Sequence, residues 1–231
     1  SPNGRHLYFQ LVMTGYIMDA DSPQRKTTAV PTPPPTGAAA WVSPTRLVVP
    51  VAAGADDMTD DPRLAIYDME QSSVMYISVA GLTNLRALQA KSASEVLVIA
   101  DTDETEAVIY TVDLADGRHQ RVDEWVKTPA TSMTYTPTQD VLSVGHGEAV
   151  TAYKLGTEET IGRWEHATRG SFHPHGTWMA LEFMGDQISI FNQRSWNELS
   201  EKARAREMAR IKQFEERLPD SYQTTIRPPT I

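Results

Sequence analysis

Cysteine is absent from all 231 residues, so disulfides, thiolate nucleophiles and Cys-ligated zinc are excluded. The same absence leaves the compartment open. A surplus of positive charge is also missing: 21 Lys and Arg face 30 Asp and Glu, for a net charge of −9. Duplex binding needs a Lys/Arg surface that displaces counterions, so no nucleic-acid partner is expected. No apolar run approaches the ~20 residues that a helix needs to cross a bilayer. No Gly-x-Ser-x-Gly elbow, phosphate-binding glycine loop or dinucleotide fingerprint occurs. These gaps favour a protein that is not an enzyme.

What is present is a repeat. A turn signature recurs at Ser1-Pro2-Asn3-Gly4, Ser43-Pro44-Thr45, Ser92-Ala93-Ser94, Thr136-Pro137-Thr138 and His173-Pro174-His175-Gly176, at intervals of 42, 49, 44 and 37 residues. Each turn is followed by an apolar stretch, a polar loop and a second apolar stretch. The complete units read as four strands. The second unit predicts strands at 38–42, 46–52, 64–68 and 74–79. The third predicts 85–88, 96–100, 107–113 and 119–122, with a tight turn at Asp116-Gly117. The fourth predicts 132–135, 141–144, 149–155 and 161–164. The first unit shows only residues 6–13 and 15–19, and the fifth only 170–172, 178–183 and 187–191. Between the first and second lies Pro31-Thr32-Pro33-Pro34-Pro35-Thr36-Gly37, read as a stiff polyproline connector. A period near 40–45 residues with about four strands is the mark of a β-propeller blade. The expected fold is therefore all-β: a propeller of about five four-stranded repeats with incomplete outer ones, spanning residues 1–194.

After Asn192 the period changes. Ser195 and Glu198 form a capping-box pattern, and Trp196, Leu199, Ala203, Met208, Ile211 and Leu218 recur at helical spacing. An amphipathic helix over 195–218 and an extended tail over 219–231 are expected.

The third strands align as Leu64-Ala65-Ile66-Tyr67-Asp68, Val108-Ile109-Tyr110-Thr111-Val112-Asp113, Val150-Thr151-Ala152-Tyr153-Lys154 and Ile188-Ser189-Ile190-Phe191-Asn192. With the Ser-Pro turn ahead of the second strand, this resembles blades of YVTN-type (cytochrome d1-like) propellers, or of divergent WD repeats. The Trp-Asp dipeptide of typical WD repeats is missing at its expected place. The resemblance covers residues 1 to about 192. It implies a fold that hosts docking platforms as well as enzymes such as lactonases and quinoproteins.

Candidate site residues fall into three groups. Loops between second and third strands hold ten of the thirty acidic residues, among them Asp56, Asp57, Asp60 and Asp61, then Asp101, Asp103, Glu104 and Glu106. Such a set can be a docking rim for a basic partner, a Ca²⁺ site centred on Asp101, Asp103 and Glu104, or simply solvated turns. His146, between two glycines, stands where a ligand-facing residue of a blade belongs. His173 and His175 belong to the opposite set of turns, so the spacing suggests no tetrahedral zinc set. The apolar stripe of the expected helix, Trp196, Leu199, Met208 and Ile211 with Phe214, suits either a covering role or a partner's groove. Together these point to a scaffold subunit contacting other proteins, with the ring completed either by such a partner or by residues ahead of Ser1. The alternative is a propeller enzyme or sensor with a ligand at the channel mouth near His146.

Overall fold

The second and third strands of the three middle units are largely apolar runs that bury both of their faces, while their fourth strands are more exposed. In the computed structural model this pattern folds into five antiparallel sheets. The residues described are 1–22, 24, 26–51, 62–147, 149–172, 178–183 and 187–192. Every regular element among them is a strand.

The first sheet has the order β1 (His6–Leu11), β2 (Thr14–Asp19), β3 (Thr27–Ala29). The second is β4 (Ala40–Trp41), β5 (Arg46–Val51), β6 (Arg63–Asp68), β7 (Ser73–Ser78). The third is β8 (Thr83–Ala90), β9 (Glu95–Asp101), β10 (Val108–Asp113), β11 (His119–Arg121). The fourth is β12 (Ser132–Thr136), β13 (Val141–His146), β14 (Ala149–Lys154), β15 (Thr160–Glu165). The fifth is β16 (Ala167–Phe172), β17 (Trp178–Phe183), β18 (Gln187–Asn192). All are meanders. Among the described residues the three middle sheets have four strands and the outer two have three, in line with incomplete outer repeats. The short strand β3 has too little apolar character to be seen in the sequence. The expected helix at 195–218 and tail at 219–231 lie outside the described residues.

The chain divides into two compact units, 1–122 and 123–231. In the first, Ile17 packs with Leu47, Val49 and Val51 between sheets one and two, and Leu64 and Ile66 pack with Val96, Val98 and Leu88 between sheets two and three. In the second, Val150 and Ala152 pack with Met179, Leu181 and Phe183 between sheets four and five. Each core is thus a face-to-face contact of consecutive blades.

The recurring turn signature has a physical cause. The hydroxyl of Ser43 accepts from the amides of Thr45 and Arg46 at 3.3 and 3.0 Å, and that of Ser92 from Ser94 and Glu95 at 3.2 and 3.0 Å. Serine is favoured at such turns for this bond. At the same end of each sheet, the residue after the third strand donates its amide to the carbonyl just before the second strand. The pairs are Ala20 to Arg5, Met69 to Thr45, Leu114 to Ser94 and Leu155 to Asp140, at 2.8, 2.9, 2.8 and 3.0 Å. One hydrogen bond thus recurs in four sheets, and in each it ties the end of the third strand to the start of the second.

The proline-rich stretch is not only a connector. Pro35 bridges Val51, and the Thr36 amide donates to the Pro50 carbonyl at 2.9 Å. The segment therefore extends the innermost edge of sheet two beyond β4. Its register allows this because a proline at an edge need not donate to the ladder. Thr36 Oγ1 also donates to the Leu85 carbonyl on β8 at 3.3 Å, and Gly37 lies against the Arg86 carbonyl, where a Cβ would not fit. The same device recurs between sheets four and five: Ser132 Oγ donates to the Thr168 carbonyl at 2.8 Å, with Gly145 pressed against that carbonyl.

Candidate functional site

His146 ends β13, and the turn to β14 passes through Gly147 at φ 61°, a conformation that glycine adopts without Cβ strain. The turn brings the half-buried imidazole back onto its own sheet, with Nε2 2.7 Å from Oγ1 of the buried Thr151. Burial, then the cations Arg163 and Lys127, push the imidazole below its ordinary value, and Glu165 offsets this in part. The ring is therefore neutral at pH 7. Glu165 is held ionised chiefly by Arg163, whose Nε and Nη2 donate to its two oxygens at 2.7 and 3.4 Å. Trp125 meets Tyr153 edge to face at 5.2 Å, and the Tyr153 hydroxyl accepts from the Lys127 amide at 3.4 Å. The result is a neutral histidine beside two cations and one paired carboxylate. Such a group can accept or donate one hydrogen bond to a polar ligand.

Asp101 plays a different part. Its Oδ2 accepts from Arg86 Nη2 at 2.6 Å and Asn84 Nδ2 at 2.9 Å, and its Oδ1 accepts from the Ala107 amide at 2.7 Å. Burial would raise its pKa, but the Ala107, Arg86 and Asn84 bonds and the Arg86 charge outweigh this and hold it low. Thr102 and Thr105 close the loop with their hydroxyls 2.8 Å apart. Asp103 and Glu104 stand exposed on it. Asp101 thus staples its own loop to β8, and among the described residues no group of three or more His, Asp or Glu is arranged to hold a metal. The remaining acidic candidates Asp56, Asp57, Asp60 and Asp61 lie outside the described residues. So do His173, His175 and the stripe of Trp196, Leu199, Met208, Ile211 and Phe214.

Sequence reasoning missed the apolar surface. The β1–β2 hairpin closes with two residues, Val12 and Met13, because Leu11 pairs with Thr14. Val12 has φ 55° and is 90% exposed; Leu11 and Met13 beside it are also exposed. Two-residue hairpin turns normally place Gly, Asn or Asp at a positive φ, and a β-branched residue there is strained. In β18, Ile188 and Ile190 are each 70% exposed. The register of the strands, not the composition, reveals these positions, and the alignment of third strands already contained half of the signal.

No family model matches the chain, and no curated protein matches it. Solved structures do. TolB from Acinetobacter baumannii matches with a TM-score of 0.56 at 17% identity, over 79% of this chain and 47% of its own. The β-propeller domain of Cps50 (Swd1) from Myceliophteria thermophila matches with a TM-score of 0.55 at 14% identity, over 81% of this chain and 66% of its own. Oligogalacturonate lyase from Vibrio parahaemolyticus matches with a TM-score of 0.60 at 15% identity, over 84% and 61%. Together with the sheets described above, these likenesses define the fold as a divergent β-propeller. The chain spans between 47% and 66% of the length of these neighbours. Among the described residues no helix is long and apolar enough to cross a membrane.

Proposed function

We propose that the chain is a non-enzymatic propeller platform that holds other protein subunits in a larger assembly. The observation that carries this reading is the tip of the first hairpin: a fully exposed, strained valine flanked by exposed Leu11 and Met13. A non-glycine residue held at positive φ costs on the order of 1 kcal/mol or more, and strain of this kind concentrates at functional surfaces. Apolar side chains gathered on one two-residue turn, on a chain of net charge −9, suit the desolvated centre of a protein interface. The test is recovery of the tagged protein from its native source, with mass photometry of the particle. A particle well above 25.7 kDa containing another polypeptide is expected. Val12→Asp with Met13→Asp should lower partner recovery at least about tenfold, the scale of ~1.4 kcal/mol. A monomer at every accessible concentration, or full recovery with the double variant, overturns the reading.

One observation favours a second reading, a ligand-binding or enzymatic propeller of the lactonase-like or quinoprotein-like kind. The neutral imidazole of His146 beside Lys127 and Arg163 would suit a small anionic or polar ligand. A ligand that raises the unfolding midpoint of the wild-type chain and not of His146→Gln would favour this reading over the first.

A further inference from the structure

The repeated register makes the surroundings of every blade position comparable. Asp19, Asp68, Asp113, Lys154 and Asn192 each close a third strand and each pair with the first residue of a second strand. Counting back from them, Ile188 and Ile190 of β18 occupy the positions of Leu64 and Ile66 in β6 and of Val150 and Ala152 in β14. Those four equivalents are 0–2% exposed, because the second strand of the next sheet covers them: Val96 and Val98 in one case, Met179 and Leu181 in the other. Among the described residues no strand covers Ile188 and Ile190, each 70% exposed. The same count on second strands puts Leu7, Phe9 and Leu11 of β1 at the positions of Val96, Val98 and Ala100 in β9 and of Met179, Leu181 and Phe183 in β17. In those strands the preceding sheet covers this face. In β1, Leu7 is 49% and Leu11 59% exposed. The two outer sheets therefore present opposite halves of one interface type, whose complete form occurs inside each unit.

We propose that both faces are seats for further propeller blades carried outside these 231 residues. The second strand of a following blade covers Ile188 and Ile190, and the third strand of a preceding blade covers Leu7, Phe9 and Leu11. This rests on the platform reading and names the partner that its outer sheets take. Two facts select this occupant over a second copy. Closed propellers carry four to eight blades, so a head-to-tail pair of five-sheet chains overshoots, whereas one to three added blades do not. A third of the Cps50 propeller domain has no counterpart in this chain, which is about the room that such blades need.

The experiment places photoreactive p-benzoylphenylalanine at Ile190, at Leu7 and, as control, at exposed Met75 on the outer strand β7. The protein is produced in its native source as a mixture of isotopically heavy and light chains. Crosslinked peptides are read by mass spectrometry. Expected from Ile190 and Leu7, and not from Met75, are peptides from outside the 231 residues in which apolar residues alternate within a four-strand repeat. Heavy–light pairs, which mark a second copy, overturn the proposal, as do helical peptides, lipid adducts or no adduct. A second measurement checks the seat itself. Ile188→Asp with Ile190→Asp should leave the unfolding midpoint of the 231-residue chain within about 2 °C, as expected for exposed sites. Ile66→Asp, at the covered equivalent, should abolish the folded state. A double variant that unfolds like Ile66→Asp shows the face already covered and overturns the proposal. If partners are lost with the Val12 and Met13 variant while Ile190 captures no blade, only the present inference falls. If no partner is recovered at all, the platform reading falls with it.

Discussion

Gly145→Ala should weaken the second unit by more than a glycine substitution ordinarily does. Gly145 pairs directly with Ser132 across β13 and β12, and its carbonyl accepts from the Thr131 amide at 2.7 Å and the Thr131 hydroxyl at 3.0 Å. A Cβ built there would stand 2.6 Å from the Thr168 carbonyl oxygen and closer still to Ser132 Oγ. Backbone lies on one side and a hydrogen-bonded hydroxyl on the other, so neither neighbour yields cheaply. Overpacking of this kind costs about 1–3 kcal/mol. Displacing Ser132 Oγ from Thr168 forfeits a hydrogen bond of about 1 kcal/mol more. Against this, alanine restricts the unfolded chain and returns about 0.4–1 kcal/mol. The net expectation is a loss of about 1–3.5 kcal/mol. Urea unfolding followed by tryptophan fluorescence measures it. Ser132→Ala alone should cost about 1 kcal/mol, and because it removes the hydroxyl that the new methyl strikes, the double variant should cost less than the sum. A Gly145→Ala protein within 0.5 kcal/mol of wild type, or strictly additive effects, would refute the close approach of β13 to β16.

Two further outcomes follow from the titrating groups. His146 is depressed in the folded state, so the unfolded chain binds the extra proton first; its contribution is intact above pH 6.5 and is lost as pH falls through that value toward the folded pKa. His146→Gln should flatten the stability profile just below pH 6.5, measured by urea midpoints, and an unchanged slope would deny the burial. Asp101 is also depressed, so its contribution is present above its ordinary 3.8 and disappears on further acidification. Asp101→Asn should cost about 1–2 kcal/mol at pH 7, because the charge-assisted bond from Arg86 is lost; the difference from wild type should vanish in acid, as followed by circular dichroism.

The blade repeat was legible because its cause is local. Serine at the first turn and a carboxylate at the second each satisfy nearby amides, and central strands buried on both faces must be apolar throughout. Strand β3, Thr27-Thr28-Ala29, was not legible, since three exposed residues join the sheet through backbone bonds alone. The role of Pro35 and Thr36 was missed for a similar reason: composition argued for a free polyproline stretch, and a bridge to Val51 decided otherwise. Of the candidate site, His146 was found from its place between two glycines. Its neutral state depends on burial first and then on Arg163 and Lys127, and Lys127 stands outside its own strand pair. Asp101 drew attention as a cation ligand because its sequence neighbours are acidic. Its hydrogen-bond donors, the Asn84 amide and the Arg86 guanidinium, arrive from the preceding strand.

The amide-to-carbonyl tie that recurs in four sheets has an evolutionary corollary. It stitches two turns together at one end of the blade, so adding or deleting a residue in either would cut the stitch and shift the strands it aligns. Tolerance for inserted sequence should therefore be lopsided, concentrated in loops at the far end such as 102–106. New specificities would accumulate on that rim while the stitched end stays nearly constant in length.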